Sequence, residues 1–167
     1  EAVYSQFANW KPDLGVMAFV TDILPEKALR EPRLGTIQYH PSLLPKHRGA
    51  SAINWAVVNG ESMTGVTIFW PDKGIDTGPI LLQKKVDIDL NDTVGSLYFG
   101  KLFPSGLKAV EEAVRLVEGG RAPRIAQDNS QATYEPILKG EHAVIDWTKE
   151  ALQVYNLVRG CDPQPGA

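Results

Sequence analysis

One histidine and one aspartate, each at the carboxyl end of a predicted strand, are the residues of this chain best suited to chemistry. His40 ends the apolar run 35–40, and Asp76 lies in the glycine-flanked loop after the run 64–70. Because ligands of open α/β sheets bind beyond the carboxyl ends of the strands, we expect the two side chains to meet in one crevice. There the imidazole would exchange protons near neutral pH, and the carboxylate would orient and charge it.

A side-chain amide precedes the histidine on the same strand. Gln38 lies two residues before His40, and residues two apart on a strand face the same side. An amide that donates to a developing oxyanion, together with a His–Asp pair, suits acyl transfer without a covalent enzyme intermediate. The chain has no G-x-S-x-G nucleophile motif, and Ser42 follows a proline in a rigid loop, so we interpret Ser42 as structural. The competing interpretation is a strand-end histidine and a turn aspartate that form hydrogen bonds only for structure.

Alternating strands and helices must position these residues, and the alternation indicates an α/β fold. The first predicted strand is a continuous apolar run that suits a position buried on both faces of a parallel sheet. Pro104 must kink or divide the longest helix, and Thr21-Asp22 and Thr148 are predicted helix caps. The predicted strands cover 14–20, 35–40, 64–70, 80–88 and 143–147, and the predicted helices cover 1–10, 26–30, 49–59, 91–118 and 149–159.

Composition indicates a globular protein and excludes several classes. The 167 residues are 43% hydrophobic and 22% charged, with a net charge of −3. This balance is unlike that of a general nucleic-acid binder, and no apolar run approaches the length of a membrane span. The single cysteine, Cys161, excludes an internal disulfide and predicts a reducing, cytoplasmic location. The histidines and the cysteine are dispersed, so no metal site is expected.

The two loops carry motifs that resemble one known family. The segment His40-Pro41-Ser42-Leu43-Leu44-Pro45 with Arg48-Gly49, and the downstream Gly74-Ile75-Asp76-Thr77-Gly78, are similar to the folate-dependent formyltransferase domain. The interval between His40 and Asp76 also suits that family. The similarity extends over nearly the whole chain. It is greatest to hydrolase domains of the 10-formyltetrahydrofolate dehydrogenase type, and methionyl-tRNA formyltransferases are also similar.

The resemblance implies a Rossmann-like formyltransferase fold with a mostly parallel sheet, which binds 10-formyltetrahydrofolate and needs no metal. It implies His40 as the proton-transfer residue and Asp76 as its essential partner, in contact with substrate. It also implies that the loop Asp22-Ile23-Leu24 gives backbone hydrogen bonds to the pterin. The Leu44–Pro45 bond is expected to be cis, as is common in the family's motif.

Two features depart from the family pattern. The family usually has asparagine where this chain has Gln38, and the extra methylene displaces the amide in a reaction that is sensitive to shifts of about 1 Å. The family domain also begins with strands and helices that have no counterpart before Glu1. We therefore expect residues 1–160 to form the C-terminal part of a catalytic domain, and residues 161–167 a linker toward a second domain.

Three functions stay open at this stage. The first is hydrolytic release of the formyl group of 10-formyltetrahydrofolate. The second is transfer of that group to an amine of a tRNA or a sugar nucleotide, and the third is a folate-binding module without catalysis. His47 and Arg48 are open to two interpretations as well, namely contacts with anionic substrate groups or a solvated loop.

Overall fold

The structure is a computed structural model that describes residues 2–20 and 22–167, and the predicted α/β class is confirmed. A π-helical turn, Tyr98–Leu102, joins the fourth helix to the fifth, and 3-10 turns lie at Asn129–Gln131 and Gly140–His142. The cap predicted at Thr21 lies outside the described residues. In chain order the main elements are α1 (Ala2–Asn9), β1 (Gly15–Met17), α2 (Glu26–Arg30), β2 (Thr36–His40), α3 (Ala52–Val58), β3 (Met63–Phe69), β4 (Ile80–Asp87), α4 (Val94–Leu97), α5 (Phe103–Glu118) and α6 (Ala151–Gly160).

The four described strands form one sheet in the order β1-β2-β3-β4. β1 and β2 are parallel, whereas β2 pairs antiparallel with β3 and β3 antiparallel with β4. The expected mostly parallel arrangement therefore holds for the first pair, and the described sheet as a whole is mixed. The reason is the connection between β3 and β4, a loop over 70–79 without a crossover helix, which can join only antiparallel neighbours.

β1 is shorter and more exposed than the sequence predicts. The strand expected over 14–20 covers only Gly15–Met17, and Val16 is 43% exposed at the edge of the described sheet. Phe19 has a φ of 60°, in the left-handed region, which ends the extended conformation soon after Met17. The prediction of a strand buried on both faces was wrong here, and the predicted parallel pairing was correct.

β3 is the best-buried strand and carries the core. Six of its seven residues are buried, whereas in β4 Leu81 is the one buried residue and the rest of the strand is half-buried or exposed. Helix α5 packs on β3 and β4, and α3 packs on β3 and α6. The shared core cluster comprises Ile37, Ile53, Ala56, Val57, Val66, Ile68, Trp70, Leu81, Ile88, Leu97, Leu102, Ala109, Ala113 and Val117.

The long helical segment is divided where a proline predicts it. Pro104 lies in the first turn of α5, directly after the π-helical turn. Proline has no N–H to continue the helical ladder, and insertion of a wider turn is one way in which the chain accommodates it. The prediction that Pro104 kinks or divides this helix is confirmed.

Two predictions near the carboxyl end were wrong. No strand forms at 143–147, because Asp146 Oδ1 accepts hydrogen bonds from the backbone N–H and the hydroxyl of Thr148 and so turns the chain. Thr148 is thereby occupied, and the N-cap of α6 is Glu150, whose N–H donates to Gln153 Oε1 at 3.3 Å. At the other end of this helix, Cys161 is fully buried.

Candidate active site

His40 closes β2 and is held by a hydrogen bond from its ring to the backbone. The side chain is buried, and His40 is the register partner of Thr67 on β3. Its Nε2 lies 2.8 Å from the carbonyl oxygen of His47. Because a carbonyl only accepts, Nε2 carries a hydrogen in both the neutral and the charged ring. The neutral ring therefore has its lone pair on Nδ1.

Asp76 faces that Nδ1 from the loop over 70–79. Its Oδ2 lies 3.6 Å from His40 Nδ1 and accepts a hydrogen bond of 2.8 Å from the backbone N–H of Gly49. The φ of Asp76 is 55°, a left-handed conformation that aspartate adopts more readily than most residues. The structure thus brings the two predicted residues together in a buried place.

Two glycines of the motifs are required for steric reasons. Gly49 has a φ of 107°, and a Cβ there would lie 2.9 Å from the carbonyl oxygen of Glu135. A Cβ at Gly78 would lie 1.8 Å from the carbonyl oxygen of Trp70, far inside van der Waals contact. Both loops therefore approach other backbone segments more closely than any residue with a side chain allows.

Burial and charge act in opposite directions on the pKa of His40. Burial lowers this pKa below its ordinary value of 6.5 and is the largest effect, and the nearby His47 ring lowers it further. The carboxylate of Asp76 and the hydrogen bond to the His47 carbonyl raise it. Because the net shift is downward, the ring is mainly neutral at pH 7 and its Nδ1 can accept a proton.

Gln38 lies on the same strand as His40, two residues earlier, where its register partners are Met17 and Phe69. Its side chain is half-buried, and within residues 2–20 and 22–167 it makes no hydrogen bond. The amide is therefore free to donate to a bound group on the His40 side of the sheet.

The loop Asp22-Ile23-Leu24 follows β1, the parallel neighbour of β2, so it lies at the same edge of the sheet as His40. All three residues are exposed, with Ile23 at 82%. Within the described chain their backbone groups form no hydrogen bonds. These groups remain available to a ligand, as the resemblance implies.

The interpretation of His47 and Arg48 as a solvated loop was wrong, because both side chains face inward. His47 is 4% exposed and Arg48 is 2% exposed. Arg48 donates to the side-chain oxygens of Gln127, Asn129 and Tyr134. A buried guanidinium needs several acceptors to replace water, and these partners, from the polar segment after α5, use its donors.

Gln127 is a site residue that the sequence analysis missed. Its Nε2 donates to the carbonyl oxygens of Asp76 at 2.8 Å and of Gly78 at 2.7 Å, and its Oε1 accepts from Arg48 Nη2 at 2.7 Å. One amide thus connects the buried arginine of the first motif to the loop of the second. The segment around Gln127 has no helical or strand periodicity, so no sequence signal marks it.

Ser42 has the structural role that its position predicts. Its hydroxyl donates to the carbonyl oxygen of Lys46 at 2.6 Å, inside the loop that contains the Leu44–Pro45 bond, which is cis as expected.

A cavity of about 290 Å³ opens beside the neighbouring Pro41 and is otherwise lined mainly by apolar residues, among them Phe19, Ile53 and Tyr98.

Two further searches covered the described residues. In residues 2–20 and 22–167, no group of three or more His, Cys, Asp or Glu side chains is arranged to hold a metal ion. Among the helices of that part of the chain, none combines the length and the apolar character needed to span a bilayer.

The chain matches known proteins over almost its whole length. It is 50% identical over 155 residues to the mitochondrial 10-formyltetrahydrofolate dehydrogenase of Homo sapiens, which is 93% of this chain and 17% of that protein. It is 44% identical to the methionyl-tRNA formyltransferase of Clostridioides difficile (strain 630), over 93% of this chain and 50% of that protein. The chain therefore spans half or less of the length of these curated relatives.

Solved structures agree with the described fold. HypX from Aquifex aeolicus, in complex with tetrahydrofolic acid, superposes with a TM-score of 0.84 at 25% identity, over 99% of this chain and 28% of that one. The sugar 3N-formyl transferase WlaRD superposes with a TM-score of 0.76 at 25% identity, over 87% of this chain and 52% of that one.

The family profiles divide the chain into two matched parts. The profile described as formyl transferase matches residues 1–104, which is more than half of the chain and includes both motif loops. The profile described as formyl transferase, C-terminal domain, matches residues 137–167. On this evidence the chain belongs to the formyl transferase family.

Proposed function

We propose that this chain carries the site at which an enzyme releases or transfers the formyl group of 10-formyltetrahydrofolate. The observation that carries the proposal is the buried pair of His40 Nδ1, at the end of β2, and Asp76 Oδ2, in the loop over 70–79, which lie 3.6 Å apart. The relatives named for this folate, and the tetrahydrofolate-bound fold neighbour, support the choice of substrate. A reducing, cytoplasmic setting belongs to the same proposal.

In this proposal a single atom of His40 takes up the proton. Since Nε2–H donates to the His47 carbonyl, only Nδ1 can take up a proton. In the proposed reaction a water oxygen attacks the formyl carbon while Nδ1 accepts the water proton. Asp76 then stabilises the imidazolium, and the amide of Gln38 donates to the oxyanion. When the carbon–nitrogen bond breaks, Nδ1–H returns the proton to the folate nitrogen, so that formate and tetrahydrofolate leave.

The folate lies, in this proposal, along the edge of the sheet that the first motif and the β1 loop share. The free backbone groups of Asp22, Ile23 and Leu24 are available to the donors and acceptors of a pterin ring. Asp76 contacts the substrate from the opposite loop. A site that offers unpaired backbone donors and acceptors suits the polar edge of a heterocycle such as a pterin.

An amine in place of water is the second candidate. A nitrogen nucleophile would attack the same carbon, and the same Nδ1 would accept its proton, so that the product is a formamide. The methionyl-tRNA formyltransferase relative and the sugar formyl transferase fold neighbour favour this candidate. The relatives with up to 50% identity are named as dehydrogenases of 10-formyltetrahydrofolate, a name that includes no amine acceptor, and water is therefore kept as the first candidate.

The test is to follow 10-formyltetrahydrofolate with the intact protein, with and without candidate amine acceptors, while formate and tetrahydrofolate are both measured. His40→Ala is the site variant, and His142→Ala, which changes a histidine outside the site, is the matched control. Hydrolysis is supported if the wild-type protein and His142→Ala release formate without an amine and His40→Ala does not. Transfer is supported if tetrahydrofolate forms only when an amine is present. Folate binding without turnover in the folded wild-type protein contradicts both and identifies a binding module.

A further inference from the structure

A second buried histidine, His47, lies directly behind the proposed catalytic pair and takes no part in the reaction described above. Its Nε2 lies 2.8 Å from Glu61 Oε1, and its Nδ1 lies 3.4 Å from Glu135 Oε1 without forming a hydrogen bond. The hydrogen bond to His47 lowers the pKa of Glu61, so this carboxylate remains ionised near neutral pH. The ring of His47 is thus held between two acidic side chains.

The backbone of His47 is in a conformation that needs support. Its φ is 54°, in the left-handed region that residues with a side chain rarely adopt. The N–H of His47 donates to Thr133 Oγ1 at 2.8 Å, and the N–H of Arg48 donates to the carbonyl oxygen of Thr133 at 3.0 Å. These contacts turn the carbonyl of His47 toward His40, where it accepts the Nε2 hydrogen.

We propose that His47 is a positioning residue for His40. Glu61 holds the ring of His47, the held ring stabilises the left-handed backbone, and the carbonyl of His47 fixes the hydrogen of His40 on Nε2. The lone pair of the neutral His40 ring then stays on Nδ1, next to Asp76. The inference rests on the proposed role of His40, but the position of the hydrogen does not depend on turnover.

The charges around the two rings come from several elements. Asp76 faces His40 from the loop over 70–79. Glu61, just after α3, and Glu135, from the segment that follows Thr133, face His47. Lys46 acts on Glu61 and further favours its ionised form. Removal of Glu61 therefore loosens the His47 ring and also changes the charge near it, and a variant that separates these effects is needed.

Solid-state ¹⁵N NMR of the intact protein, labelled at histidine, measures the tautomer directly, with the His40 signals assigned by their loss in His40→Asn. We expect a single Nε2–H tautomer in the wild type. Glu61→Ala and His47→Gly should each shift the tautomer ratio toward Nδ1–H roughly fivefold, which is the change expected from the net contribution of one hydrogen bond. The glycine variant keeps the left-handed backbone conformation accessible. Glu61→Gln keeps an acceptor without the charge and should retain the wild-type ratio, as should the exposed control Glu118→Ala.

The pH dependence of kcat/KM is a second measurement, and a general loss of structure would not shift it. In Glu61→Ala the acid limb of kcat/KM should shift while KM for the folate is unchanged, and Glu61→Gln should restore the limb. A wild-type tautomer ratio in both Glu61→Ala and His47→Gly overturns the inference. A shifted ratio in a protein whose wild type does not turn over 10-formyltetrahydrofolate supports the positioning role and contradicts the proposed function.

Discussion

Replacing Gln127 tests whether the loop of Asp76 is held from outside its own motif. Gln127→Leu removes the hydrogen bonds to the carbonyls of Asp76 and Gly78 and to the guanidinium of Arg48. Each group left without a partner costs about 1 kcal/mol or more, and a charged one costs most. We expect a loss of about 3–5 kcal/mol in the free energy of unfolding, which corresponds to a fall of the order of 10 °C in Tm for a chain of this size.

Gln127→Glu separates the two halves of that network. A carboxylate still accepts from Arg48, so the largest single contribution, that of the charged partner, should remain. It cannot donate, however, and its oxygens would face the carbonyls of Asp76 and Gly78, which should displace the loop. Because catalysis falls about 100-fold for a displacement of 1 Å, we expect a large loss of kcat in Gln127→Glu with a smaller loss of Tm than in Gln127→Leu.

The assay is steady-state formate or tetrahydrofolate production with the intact protein, beside thermal unfolding by circular dichroism. Gln6→Ala, an exposed glutamine on α1, is the matched control and should change neither quantity. Wild-type kcat in Gln127→Glu would refute the reasoning, because Asp76 would then be held without any donor from Gln127. Wild-type Tm in Gln127→Leu would show that the buried Arg48 finds other acceptors.

Three further outcomes are expected. Because the pKa of His40 in the folded state is below its unfolded value, the unfolded state binds more protons below about pH 6.5. Urea titrations should therefore show a free energy of unfolding that decreases as the pH falls through that region. His40→Asn should make this dependence on pH less steep. Gly78→Ala, whose Cβ would meet the Trp70 carbonyl, should lower stability by about 1–3 kcal/mol in the same titration. Ser42→Ala leaves the Lys46 carbonyl without its donor and should cost about 1 kcal/mol in that titration, with the assay still showing turnover.

Local patterns in the sequence predicted the elements that contain the two motifs. The strands β2, β3 and β4 and the helix α2 lie where periodicity and capping residues place them, within a residue or two. The sequence also predicted the meeting of His40 and Asp76, which the structure confirms, but by a rule that applies to parallel strands. Because β2 and β3 are antiparallel, the loop over 70–79 must fold back to bring Asp76 to the end of β2. Gln38 lies on the predicted strand two residues before His40, and strand alternation then assigns the two residues to one face.

The parts that the sequence did not reveal depend on long-range contacts. Strand β1 is short because Phe19 leaves the extended conformation, which no composition rule anticipates. The inward orientation of Arg48 depends on acceptors about eighty residues later in the chain. Polar residues in an irregular segment resemble a solvated loop, and only the fold shows that Gln127 and Tyr134 satisfy a buried cation.

The irregular segment that contains Gln127 and Thr133 connects the two motif loops more extensively than these loops contact each other. Thr133 holds the backbone of His47 and Arg48, while Gln127 holds the loop of Asp76, and Ile125 pairs with Ile80 at the base of that loop. The direct link between the motif loops is the hydrogen bond from Gly49 to Asp76 together with the contact between His40 and Asp76. The distance between His40 and Asp76 is therefore set largely by residues outside both motifs.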